Sequence, residues 1–124
     1  MKREPPIEEM RVEAGDLTVH AIPADQLLSV AVAGRTTVDS SPHLRSVLLG
    51  LLRRTTAPVV AIDLSALSYL DISGIATLLE ALKAAHEHSV KLRVAGLTGQ
   101  ARALAEIAQL DTIVHAWGSE VEFR

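Results

Sequence analysis

Residues 59–79, VVAIDLSALSYLDISGIATLL, carry an apolar, β-branched run through a short polar link into a Leu- and Ala-rich segment. The apolar run reads as a buried strand, and the positions after the link repeat at helical spacing. The chain therefore passes from strand to helix at Asp71-Ile72-Ser73-Gly74. In α/β sheets, ligands and partners gather at such strand ends. A helix start also presents backbone N–H groups with no partner inside the helix, together with the positive end of the aligned peptide dipoles. A carboxylate, an anion or a phosphorylated hydroxyl is stabilised there.

Working outward, the run from Pro58 to Leu64 predicts the central strand, covered on both faces. Ile75, Leu78, Leu79 and Leu82 form one stripe of a helix from about Ile72 to His88, with Thr77, Glu80, Lys83 and Glu87 largely off it. Upstream, LTVHAIP (17–23) alternates as a half-buried strand, and LLSVAVAG (27–34) follows closely enough for a hairpin. Leu44, Val47, Leu48 and Leu51 then predict a helix to about Arg54, with Ser41 as N-cap and Pro42 at its first position. Downstream come a strand at 91–97, a helix from Gly99 to Gln109 and a short closing strand at 112–116. Residues 1–15 are charged, contain Pro5-Pro6 and read as a flexible lead-in to a domain over 16–124. The order β, β, α, β, α, β, α, β predicts a single α/β domain: a mixed, mainly parallel sheet of four to five strands with helices packed against it.

Composition narrows the function. At 124 residues and 48% hydrophobic content the chain has the size of one domain, and its core must be aliphatic because Phe, Trp and Tyr occur once each. Twelve Lys plus Arg against fifteen Asp plus Glu leave no basic field for a nucleic-acid backbone, so no direct nucleic-acid partner is expected. Cysteine is absent, which excludes disulfides, thiol catalysis and thiolate metal sites. The start MKREPPIEEMRVEAGD has no apolar signal region, and no window reaches the roughly 18–20 apolar residues of a membrane span. The expectation is a soluble, cytoplasmic protein without membrane insertion.

Chemistry-bearing clusters are few. His86 and His88 stand two apart on a helix and cannot share an ion on one face, while His20, His43 and His115 fall on other elements, so no metal is expected. One carboxylate segment cannot make an aspartic dyad, and no G-x-S-x-G elbow is present. Gly96-Leu97-Thr98-Gly99-Gln100 lacks the lysine and spacing of a phosphate loop. Neither enzyme activity nor a cofactor is expected. What remains is the helix start, with Asp71 or Ser73 as N-cap and Gly74 where a neighbour must come close, and a polar loop of Thr36, Thr37, Asp39, Ser40 and Ser41, in which Ser40 or Ser41 suits an N-cap.

The segment DLSALSYLDISGIATLLEALKAA resembles the signature of the STAS domain found in anti-sigma factor antagonists and related bacterial regulators. Gly34 to Arg45 and KLRVAGLTGQARALAEIAQLDTIV resemble the family's flanks, so the likeness covers about residues 16–117. It implies a protein-binding regulator whose partner is a kinase-type anti-sigma factor, in a bacterial partner-switching system. In the phospho-regulated members the motif is similar to Asp-Ser-Ser/Thr-Gly, and the partner kinase phosphorylates the first hydroxyl residue. Ile72 stands at that position here, and Ser73 matches the second hydroxyl and is a possible phosphorylation site. The family often has an acidic residue where Thr37 falls; Asp39 supplies charge two positions on. The implied partner face comprises Thr37, Asp39, Ser40, Asp71, Ile72, Ser73, Gly74 and Thr77, with Ile72 and Thr77 meeting the partner. An alternative is a STAS subunit of a membrane transport (ABC-type) assembly, docking to its ATPase without phosphorylation. Burial of Ile72 in the chain's own core competes with both.

Overall fold

Alternation in the sequence becomes a sheet with one buried face. The computed structural model describes residues 6–122. Its elements are β1 (Met10–Ala14), β2 (Leu17–Pro23), β3 (Leu27–Thr36), α1 (Ser41–Arg54), β4 (Val59–Leu70), α2 (Ile72–Glu87), β5 (Lys91–Ala95), α3 (Gly99–Ile107), α4 (Leu110–Ala116) and β6 (Glu120–Val121). The six strands lie in chain order, β1-β2-β3-β4-β5-β6. β2 runs antiparallel to both its neighbours, β1 and β3, and β3 to β6 are parallel. The α/β class and the mixed sheet are as the sequence reads; among the described residues the strand number is six rather than four to five.

Each parallel crossover steps the same way along the sheet, and right-handed connections then place all the helices on one face. Burial follows that geometry. Val19, Val30, Val32, Ile62, Leu92 and Val94 are buried with the inner faces of the helices, from Leu44 and Leu48 of α1 to Leu78 and Leu82 of α2 and Val114 of α4. The alternate positions Thr18, His20, Ser29, Ala31, Ala61 and Asp63 are half-buried or exposed. This corrects the reading of β4 as covered on both faces. It is interior in the sheet, yet its second face is open, and the small Ala61 leaves little apolar area there.

Three further expectations change. Residues 10–14 of the proposed lead-in form β1, paired Met10↔Ala21 to Ala14↔Leu17, with Met10, Val12 and Ala14 half-buried and Arg11 and Glu13 exposed; residues 1–5 lie outside the described residues. Strand β4 continues past Leu64 to Leu70, with two register shifts against β3 taking up the added length. Residues 112–116 belong to a helix, not a strand. Gln109 adopts the left-handed conformation (φ 54°) and ends α3 early, and α4 then buries Leu110 and Val114, one helical turn apart. The true last strand is β6, where Glu120 bridges Lys91 (2.7 Å) and Arg93 (3.5 Å). The Lys91 ammonium, hydrogen-bonded and close, holds the Glu120 carboxyl below the usual carboxylate range.

Candidate functional site

Strands β3 and β4 are paired Thr36↔Leu70 at their ends, so the chain leaves the sheet at neighbouring points to begin α1 and α2. The β1–β2 turn reaches the same edge, because Leu17 pairs with Gly34. Gly34 has φ +102°, and a Cβ there would fall on the carbonyl of Asp16, whose oxygen accepts from Arg35 N at 3.1 Å. Three turns thus share one end of the sheet.

At the start of α2, Asp71 is extended (φ −112°, ψ −176°) and its Oδ1 accepts from Gly74 N at 3.0 Å, three residues on. The same oxygen accepts from Ser73 Oγ at 2.6 Å. Asp71 is therefore the N-cap, and the Ser73 hydroxyl is committed to it. Asp71 N donates to Thr36 Oγ1 at 3.4 Å, tying this junction to β3. Gly74 packs against the same threonine, since a Cβ at 74 would collide with Thr36 Oγ1 and Leu70 Cδ1. Thr36 itself is 0% exposed. Beside it, the Gln100 side chain pairs with the Leu70 backbone as a strand would, accepting from its N–H at 3.0 Å and donating to its carbonyl at 2.6 Å.

The β3–α1 turn is held differently. Ser40, 6% exposed, occupies the N-cap position of α1 yet makes no side-chain bond to the helix. Its Oγ accepts from Thr37 N at 2.9 Å and donates to Arg35 O at 2.8 Å. Thr37 Oγ1 accepts from Asp39 N at 3.2 Å, and the Thr37 carbonyl accepts from Ser41 N at 2.8 Å.

Of the sequence-derived residues, Asp39 and Ile72 face solvent, Thr37, Asp71 and Ser73 are half-buried, and Ser40, Gly74 and Thr77 are buried. Thr77, at 4% exposure, cannot meet a partner as expected. It sits in the α2 face formed by Gly74, Ile75, Leu78, Ala81 and Leu82; the outward stripe below Ile72 is Ala76, Glu80 and Lys83. Ser40 likewise serves the turn from inside. Ile72 is 67% exposed, which removes the core-packing alternative for it.

Sequence reasoning missed Val38, 71% exposed in the turn beside Ile72. An aliphatic side chain inside a polar loop was the available signal. It gave Thr36 no role beyond the polar loop, and it missed Gln100, whose contact with Leu70 spans thirty residues and leaves no local trace. Among the described residues, no group of three or more His, Cys, Asp or Glu is placed to hold a metal ion. No described helix is long and apolar enough to cross a membrane. The site offers rigid turns and exposed aliphatics, which suits binding to a protein surface.

The family model "Mlab, STAS domain" matches residues 19–115. An anti-sigma-B factor antagonist of Staphylococcus epidermidis is 29% identical over 108 residues, 86% of this chain and 99% of the relative. The Staphylococcus aureus protein of the same name is 28% identical over 108 residues, with the same coverage. In fold, the chain is similar to the crystal structure of an anti-sigma factor antagonist from Mycobacterium paratuberculosis, with a TM-score of 0.70 and 22% identity over 82% of this chain and 86% of that one. The unphosphorylated form of the anti-sigma factor antagonist SpoIIAA gives a TM-score of 0.66 at 10% identity, over 84% of this chain and 87% of that one.

Proposed function

We propose that this chain, which belongs to the STAS domain family, is a non-enzymatic protein-binding regulator of the anti-sigma factor antagonist type, acting in the cytoplasm on a kinase-type anti-sigma factor. The observation that carries the reading is Ile72, 67% exposed at the first turn of α2 and held out by an N-cap made without it. An exposed branched aliphatic on a rigid helix start is a ready contact for an apolar pocket. The antagonist relatives support the general role.

The regulation we read here differs from that of phospho-regulated family members. Ile72 has no hydroxyl to modify. The Ser73 hydroxyl is spent on Asp71 at 2.6 Å, and a phosphate there would set roughly two negative charges against the capping carboxylate. Binding competence is then constitutive at this helix, and control lies with the amount of the chain or with its partner.

The test is capture of partners by the tagged full chain from its native cell, compared with Ile72→Glu and Ala76→Arg, both at exposed positions. Loss of the partner by about tenfold or more, equivalent to roughly 1.4 kcal/mol, is expected for Ile72→Glu with folding unchanged. Retention of every native complex by both variants overturns the reading. A second reading, a STAS subunit docking to the ATPase of a membrane transport assembly, draws on the same missing hydroxyl. The partner's identity separates the two: a kinase-type anti-sigma factor supports the first, a transport ATPase the second.

A further inference from the structure

The sheet edge carries a second feature next to the helix start. Between the β1–β2 turn and the β3–α1 turn lies a cleft of about 240 Å³, lined by Gly15, Asp16, Thr37, Asp39, Ser40 and His43 among others. That volume falls below the roughly 300–1,000 Å³ of small-molecule sites and suits one long side chain better than a metabolite. Its walls are fixed. Asp16 is tied to the end of β3 through Arg35 N, and Thr37 and Ser40 bond each other across the turn. Asp16 and Asp39 are exposed, and among the described residues neither carboxylate has a cationic partner. The nearby Arg35 guanidinium lies over the Tyr69 ring, 4.6 Å from its centroid.

Val38 belongs to the same turn and points out at 71% exposure, and Ile72 stands on the adjacent one. Thr36 and Leu70 are in register, so the β3 and β4 segments leave the sheet about 4.8 Å apart, and each exposes an aliphatic side chain two residues later. The edge thus reads, in order, as two unpaired carboxylates over a cleft, then an apolar pair. We infer that the partner of the proposed function presents an apolar group to Val38 and Ile72 and inserts a lysine or arginine between Asp16 and Asp39. This rests on the protein-binding reading and extends its footprint across β3 to the β1–β2 turn. Opposite charge there fixes orientation and speeds encounter, while the aliphatic pair supplies the dry contact.

The experiment uses the full chain and the partner it captures. Asp16→Asn with Asp39→Asn, two exposed substitutions that leave Val38 and Ile72 in place, is titrated with that partner over a range of salt. The expected result is about tenfold weaker binding at low salt and a shallower salt dependence than the unmodified chain, with an unchanged circular dichroism spectrum. Unchanged affinity and salt dependence overturn the inference while leaving the proposed function standing, provided Ile72→Glu still releases the partner. If Ile72→Glu and Ala76→Arg release nothing, the proposed function falls and the inference with it. If native mass spectrometry finds a small cationic molecule on the unmodified chain and none on the Asn variant, the cleft holds a ligand rather than a side chain, and the inference is again overturned.

Discussion

The two turns at the end of the sheet begin from the same geometry and are built by different means. Each follows a parallel strand, starts a helix and exposes one large aliphatic residue, Val38 before α1 and Ile72 at the start of α2. At α2 the cap is a carboxylate that bonds the helix, from Asp71 Oδ1 to Gly74 N, with a glycine pressed on Thr36 beneath it. At α1 the residue in the cap position turns its hydroxyl away from the helix and staples the loop instead. The side chains of Asp71 in one turn and of Thr37 and Ser40 in the other are consumed in holding backbone, by helix capping and by loop bonding respectively. Each turn also leaves one large aliphatic facing outward, Val38 beside the exposed Asp39 in one and Ile72 in the other, and that shared aliphatic is the functional candidate.

The largest test of this contrast is at the third residue after each cap. Gly74→Val drives two methyl groups into Thr36 and Leu70, and should cost about 3 kcal/mol by urea unfolding, with overpacking and a β-branched helix residue both contributing. His43, the corresponding residue of α1, is exposed, and His43→Val should stay within about 0.5 kcal/mol of the parent. Equal effects at the two positions would show that the turns are not built differently.

Next come the caps themselves. Ser40→Ala removes a buried hydroxyl that both accepts and donates, leaving Thr37 N and Arg35 O without their partner, for about 1–3 kcal/mol. Asp71→Ala should cost about 1 kcal/mol, and Asp71→Asn much less, because an amide oxygen caps about as well. Ser40→Asn has no such rescue, since the larger amide must enter a buried site. If Asn is tolerated at 40 and not at 71, the assignment of capping to one turn and stapling to the other is reversed.

Much of this edge was legible in the sequence, for reasons that differ by residue. The strand-to-helix passage at 70–72 was clear because period-2 alternation changes to helical spacing across a polar link, and Asp71 was readable as a cap because capping acts over three residues. Ser40 was misplaced because its partners, Arg35 O and Thr37 N, depend on how the loop closes, which composition does not state. Thr77 was misplaced because a hydroxyl marks a residue as polar while helical phase decides which way it points. In the same way α4 was mistaken for a strand: the window TIVHA excluded Leu110, whose spacing to Val114 carries the helical signal. The pairing of Gln100 with Leu70 was out of reach, being a tertiary contact between distant segments.

The smallest expected effect on stability is the most informative about function. Val38→Ser and Ile72→Ser each remove a side chain already mostly in water, so little apolar burial is lost and unfolding should shift by less than about 0.5 kcal/mol. At α2 the serine even restores a hydroxyl to the first helical turn, where a polar group is at home. If urea midpoints stay put while partner binding, measured with purified chains that carry no phosphate, falls for both variants, the two aliphatics are shown to serve the complex and not the fold. A loss of stability on the scale of the Gly74 or Ser40 variants would mean the reverse: the turns need their outward residues too, and the division between side chains that hold backbone and side chains that face a partner fails at its simplest point.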